Sequence, residues 1–383
     1  MKGMKIHFEL ILFILLTLTS DAVAADRDDW HMEYELKERI LYSETVNRYS
    51  PEENVKEYFP YAPIPPELAQ QRQVFTTFAV NGHPFRVLTT TDQGPYHRLI
   101  LMARIQAVTP YDHTNITVTV TYETTIYARR LKHGPGTNSV PVLSYADQSL
   151  ALTNTKWLDF GSPEFTKWLR ANNLQRQRQE SVIAFGRRVC DFVHEHMTYN
   201  YPTSNDGKPL SDLCQVLKGH CGHYAMLFVG IMRANGVPAR ALVGHWLNAG
   251  PHIKSEFFVQ GVGWVPVDAT RGEFGREDGN FLTHHLEVEP LGLPNKSGGT
   301  WWSYYMQELY LPCDGGSWDK PKWTKHFTQT SVPLPSPPLP KAATAEPNSS
   351  TNQRLKELKQ LFEQGLISQA VYDQKKKEIM DSL

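Results

Sequence analysis

One cysteine, Cys221, stands immediately ahead of the apolar stretch "GHYAMLFVGIMRANGVP", with Gly219 and Gly222 beside it. The spacing predicts a helix over Tyr224 to Ala234 with Ala225, Phe228, Ile231 and Met232 facing inward, ended by Asn235-Gly236 and Pro238. That puts Cys221 at a helix N-terminus, where unpaired N–H groups and the positive end of the dipole favour thiolate over thiol. The small neighbours let a substrate approach the sulfur and let the Cys221 N–H face a developing oxyanion. A thiolate nucleophile needs an imidazole partner, and the imidazole needs an orienting group. Downstream, His252 precedes the strand-like Glu256-Phe257-Phe258-Val259, and Asp268 closes Trp264-Val265-Pro266-Val267. Gly261 and Gly263 favour a hairpin between them, so antiparallel pairing would bring His252 beside Asp268. Cysteine, histidine and aspartate in this order suit nucleophilic acyl transfer.

Taken singly, each residue has a plainer reading. A cysteine at a helix start is most often a buried small hydrophobe, His252 a surface histidine, and Asp268 a strand-end turn residue. Their joint order and frame argue for a site. A metal centre built from His220, Cys221, His223 and His245 is disfavoured, because the first three lie too close together for paired zinc ligands and no second cysteine pair follows. No metal and no cofactor is therefore expected. Tyr199 and Tyr201 are candidate oxyanion side chains, with core packing as the alternative. Trp301 and Trp302 read as packing residues.

Several elements must position this chemistry. Lys2 and Lys5, the apolar Leu10 to Leu18 and Ala22-Val23-Ala24 read as a secretory signal cleaved near Ala24. The apolar run is shorter than the ~20 residues that span a bilayer, so a secreted or periplasmic protein without a membrane span is expected. From about Arg72 to Leu131 the chain alternates like β-strands, best seen at Ile116, Val118, Val120 and Tyr122. Residues 25–150 thus form a β-rich domain. "SPEFTKWLRANNL" opens a helix, and "ESVIAFGRRVCDFVHEHM" places Val182, Phe185, Val189, Phe192 and Val193 on one stripe, with Cys190 in the core. If Cys221 is a working thiol, at most one disulfide can form among Cys190, Cys214 and Cys313, and its pairing is not legible. The 383 residues carry 40% hydrophobic side chains, enough for a real core, and a net charge of −1 gives no reason to expect nucleic acid as a partner. "VPLPSPPLPKAATAEPNSSTN" reads as an extended linker, and residues 352–383 as two short amphipathic helices.

With these residues in place, the segment from about Trp168 to Leu291 resembles a bacterial transglutaminase-like domain of the papain-like thiol superfamily. The resemblance is carried by Gly219-His220-Cys221-Gly222, by "RANGVPARALVG", by the histidine four residues before Glu256 and by "GWVPVDAT". It implies an α+β fold, in which a helix bearing Cys221 packs on an antiparallel sheet. It also implies Cys221 as nucleophile, His252 as base and Asp268 as orienting acid. Two positions depart from the family pattern: Lys254 where members often carry Trp, and His220 before the nucleophile. The tail, with its Gly-Leu-Ile turn at Gly365 to Ile367 and Tyr372, resembles a SHOCT module. Such a hairpin buries little area alone, so self-association or a partner is expected. The expected order is signal peptide 1–24, β-rich domain 25–150, catalytic core 151–310, tail and linker 311–351, and hairpin 352–383. The function implied is a secreted thiol acyltransferase or hydrolase acting on peptide or glutamine-type amides of a protein or peptide substrate. The competing reading is a non-catalytic envelope binding module with a vestigial triad.

Overall fold

β-Branched and aromatic residues at every second position build the first layer. A computed structural model describes residues 30–49, 55–106, 116–134, 141–294, 300–303, 307–314 and 322–332, and single positions at 355, 359, 376 and 377. The expected signal peptide, the expected Pro-rich linker beyond Val332 and, apart from those single positions, the expected C-terminal hairpin lie outside the described residues. Strand β1 (Trp30–Tyr49) turns Ile40, Tyr42, Glu44, Val46 and Arg48 inward. β2 (Gln71–Val80) and β3 (Ile116–His133) follow, and in β3 the expected Ile116, Val118, Val120 and Tyr122 are all buried. β3 lies between β1 and β2, antiparallel to both.

Helices α1 (Pro163–Ala171) and α2 (Val182–His196) start at Ser162 and Ser181, whose hydroxyls accept backbone N–H groups of the first turn. α2 buries Phe185, Val189, Cys190 and Val193, as its spacing predicts, while Val182 and Phe192 only border the core. α3 (Leu210–Val216) leads into α4 (Cys221–Ala234), which begins three residues ahead of Tyr224 and buries every residue from Gly222 to Arg233. A helix apolar on all sides must be enclosed. Its enclosure is the antiparallel sheet made by β4 (Ala239–Trp246), β5 (Gly250–Val259), β6 (Gly263–Asp268) and β7 (Glu273–Phe274). After β8 (Arg276–Glu277), β9 (Phe281–Leu286) joins it, giving the order β7-β6-β5-β4-β9. The expected α+β arrangement, a helix carrying Cys221 against an antiparallel sheet, is present. Gly244 permits the β4–β9 contact: a Cβ there would lie 1.9 Å from the Leu282 carbonyl oxygen, at the point where the strand register shifts.

β10 (Lys322–Val332) returns to pair antiparallel with β1, from Arg39↔Val332 to Tyr49↔Lys322. The sequence reading places these residues in the tail and linker at 311–351 and assigns them no element; they form a strand. The Thr-rich "KWTKHFTQTSV" suits a pleated edge, and β1 without it would expose a long row of unpaired backbone groups. The two sheets are joined by β8, which pairs with β3, and by a buried charged seam. Arg129, fully buried on β3, contacts Glu256 and Glu277 at 2.5 Å each; Glu277 also takes Lys254 and Glu256 takes Arg240. Among the described residues no helix is long and apolar enough to cross a membrane.

Candidate active site

Cys221 is the first residue of α4 and is partly exposed. At that position helix geometry leaves its N–H without an intrahelical acceptor. The residue before it caps the helix: His220 Nδ1 accepts the Gly222 N–H at 3.0 Å, and the His220 N–H reaches His223 Nδ1 at 3.3 Å. His220 Nε2 faces Asp206 Oδ1 at 2.8 Å. His220 thus replaces a conventional capping side chain and is held from its far side.

His252 arrives on β5, where it pairs with Gly244 of β4. The β5–β6 register sets Ser255 against Val267, so Asp268 falls one step on, opposite Lys254 and diagonal to His252 on the same face. The side chains meet: His252 Nε2 donates to Asp268 Oδ2 at 2.7 Å, which leaves Nδ1 for the thiol. Cys221 lies within hydrogen-bonding reach of both His252 and His220. Trp246 stacks on the His252 ring at 5.3 Å between centroids and 26° between planes.

The electrostatics follow from these contacts. Burial is the largest influence on Cys221 and pushes its thiol up, but hydrogen bonds with His220 and His252 and their charges outweigh it and bring the pKa to about 6. Burial likewise pushes His252 down, and its bonds to Asp268 and Cys221 overcome this, raising it to about 9. Between those values the favoured state is thiolate beside imidazolium. Burial instead pushes Cys190 up to about 12 and Cys214 up to about 11. All four cysteines are free thiols, so no disulfide forms among them.

The structure therefore brings Cys221, His252 and Asp268 together. Tyr199 flanks the thiol: its hydroxyl is pushed up by burial and then by the Cys221 charge, although the residue is 55% exposed. Tyr201 is 74% exposed and sets its ring edge-on to His220 at 5.9 Å. Trp302 is half-exposed on a ribbon formed with Leu291–Pro294. Lys254, the departure from the family pattern, is buried over the rings of Phe281 and Trp246 at 4.0 and 4.6 Å and is neutralised by Glu277.

Three neighbours of the site are missing from the sequence reading. Trp246 ends "RALVGHW", where an aromatic on a strand reads as core. Asp206 lies in "SNDG", which reads as a turn. Gln307 donates its side-chain amide to the backbone carbonyls of His252, at 2.8 Å, and Gly244, at 3.1 Å, from a segment with no local signal. Among the described residues two groups of side chains could hold a metal: Asp206, His220 and His223 near the thiol, and Glu44, His245 and His284 elsewhere. The histidines grouped in the disfavoured metal reading are thus divided, His245 belonging to the second. In the first group both His220 nitrogens and His223 Nδ1 are engaged in the capping contacts above.

Residues 170–269, which span α4, β4, β5 and β6, match the Transglutaminase-like superfamily. They form a transglutaminase-like domain. A solved structure of a candidate cysteine protease from Cytophaga hutchinsonii has a TM-score of 0.50 at 14% identity, covering 81% of this chain and 95% of that one. The shared fold therefore extends beyond the transglutaminase-like domain. The periplasmic domain of TgpA from Pseudomonas aeruginosa has a TM-score of 0.29 at 16% identity, covering 66% of this chain and 91% of that one. A Haemophilus influenzae protein of no stated function is 34% identical over 14% of this chain, and this chain covers only 21% of that protein's length.

Proposed function

We propose that this chain is an exported thiol acyltransferase or hydrolase that cleaves peptide or glutamine-type amide bonds through an acyl-enzyme on Cys221. The observation that carries the reading is the His252 imidazole, held by Asp268 at 2.7 Å and within hydrogen-bonding reach of a thiol drawn down to about 6. In the first step Cys221 Sγ attacks the carbonyl carbon and the carbonyl oxygen takes the charge, facing the Cys221 N–H at the helix end. Collapse breaks the C–N bond, and the His252 Nδ1 proton goes to the departing amine. In the second, His252 takes a proton from water or from an acceptor amine, which attacks the thioester and regenerates the thiolate. Asp268 keeps the imidazole in the tautomer that both steps require. Partial exposure of Cys221, Tyr199 and Tyr201 supports an extended polypeptide substrate, and in this proposal either tyrosine meets the oxyanion or the substrate chain.

In the same proposal the chain leaves the cytoplasm through the leader ending near Ala24, residues 25–150 position substrate, and the hairpin at 352–383 mediates association. An activity-based acyl probe on the purified chain, read by peptide mass spectrometry, tests the chemistry. Labelling at Cys221 that is lost in His252→Ala is expected. Absence of labelling at Cys221 in folded protein would instead favour a binding module with a vestigial triad. Release of peptide fragments against incorporation of a labelled amine then separates hydrolysis from transamidation.

A further inference from the structure

A second cluster of reactive side chains lies where the N-terminal sheet meets the transglutaminase-like sheet. Glu44 comes from β1, His245 from β4 and His284 from β9, and they are 1%, 0% and 0% exposed. Each offers a ligand atom within 4.8 Å of the other two. Glu44 Oε1, His245 Nε2 and His284 Nε2 have no hydrogen-bond partner among the described residues. The approach of His284 Nε2 to Glu44 Oε1 is 3.5 Å.

The opposite atom of each side chain is held in place. His284 Nδ1 bonds the Gln307 carbonyl, which can only accept, so Nδ1 carries the proton and Nε2 presents a lone pair. His245 Nδ1 meets the Tyr42 hydroxyl at 2.5 Å, and Glu44 Oε2 accepts the Leu309 N–H at 2.6 Å. Histidines and carboxylates that ligate metals are oriented in this way from behind. With His245 Nδ1 donating to the Tyr42 hydroxyl, the three inward atoms are all acceptors, and a single cation satisfies them together.

We propose that Glu44, His245 and His284 form a buried site for a divalent transition-metal ion of the zinc class, which clamps the N-terminal sheet to the transglutaminase-like sheet. Two imidazoles and one carboxylate select that class, since calcium and magnesium favour all-oxygen sets. Donors around tetrahedral zinc stand roughly 3.3 Å apart, a spacing that His284 Nε2 and Glu44 Oε1, at 3.5 Å, already approach. Glu308 Oε1 lies 3.9 Å from His245 Nε2, with its Oε2 paired to Lys325. The clamp also reaches the thiol site. Gln307 accepts from His284 through its carbonyl and donates through its amide to the His252 carbonyl, so one residue links the metal ligand to the backbone of the imidazole partner.

The inference does not depend on the acyl-transfer reading, and its test is metal content. The full chain carrying Cys221→Ala, which removes the thiol as a competing ligand, is stripped with a chelator, dialysed against micromolar Zn²⁺ or Co²⁺ and assayed by elemental analysis and melting. About one equivalent of metal and a raised melting temperature are expected, with Co²⁺ giving the visible bands of a tetrahedral nitrogen and oxygen site. Adding His284→Ala or the isosteric Glu44→Gln should abolish both effects, and Asp206→Asn should leave them intact. Circular dichroism establishes that each variant is folded. A folded Cys221→Ala chain that takes up no metal would overturn the proposal and leave a proton-sharing cluster. Metal that survives Glu44→Gln and His284→Ala but leaves with Asp206→Asn would overturn it too, by placing the ion beside α4.

Discussion

The pH dependence of thiol reactivity tests the electrostatics of the thiol site most directly. At pH 7 a thiol of pKa about 6 is roughly 90% thiolate, whereas Cys214, at about 11, carries thiolate in only about one molecule in 10⁴. A less basic thiolate is also a weaker nucleophile, and a Brønsted slope near 0.45 across about five units returns roughly 10² of that advantage. The net expectation is reaction of Cys221 with a pyridyl disulfide about 10²-fold faster than Cys214, before the burial of Cys214 slows it further. The rate should fall about tenfold per unit below pH 6 and hold a plateau up to about 9, where His252 loses its proton. In His252→Ala the midpoint should move upward, since a hydrogen bond and a positive charge are removed while His220 remains. The assay is stopped-flow release of the pyridine thione from pH 4 to 10, with the labelled residue assigned by mass spectrometry. A midpoint near the ~8.5 of an unperturbed cysteine, or comparable labelling of Cys190 and Cys214 in the folded chain, would refute the reasoning.

Three further outcomes are expected. Asp268→Asn should keep the fold and most labelling of Cys221 but lose about 10⁴-fold in turnover, because the amide no longer fixes the His252 tautomer; near-normal turnover on a probe amide would reduce Asp268 to a turn residue. Removal of 333–383 should leave core melting and small-substrate turnover unchanged while lowering the mass in light scattering, whereas removal of 322–383 also strips β10 from β1 and should lower the melting temperature sharply. Arg129→Met leaves Glu256 and Glu277 buried with less compensation and should cost about 3–5 kcal/mol in denaturant unfolding at pH 7. Burial pushes Glu277 up, but the charges of Arg129 and Lys254 prevail and draw it down to about 2. A depressed carboxyl stabilises the fold above its unfolded pKa and loses that contribution as pH falls through its folded value, so the gap between wild type and variant should narrow towards pH 2.

What the sequence determined by itself was local. Apolar residues at helical spacing placed α4 and put Cys221 at its head, since periodicity and the Asn-Gly-x-Pro stop depend only on near neighbours. The hairpin glycines and the strand pattern made the meeting of His252 and Asp268 predictable, because sixteen residues joined by a tight turn have one natural antiparallel register. Period-2 alternation likewise made β3 legible. Contacts between distant segments were decided only by the tertiary structure. β10 lies 293 positions beyond its first partner across the Arg39↔Val332 bridge, and nothing in "KWTKHFTQTSV" names the edge it covers. His220 reads as a departure from a family pattern until its ring is seen capping α4 and reaching Asp206. Glu44, His245 and His284 are unremarkable in three separate strands, and they converge because the sheets face each other. Burial produces the same division: identical thiols at Cys190, Cys214 and Cys221 differ because folding removes water from all three and supplies imidazoles to one.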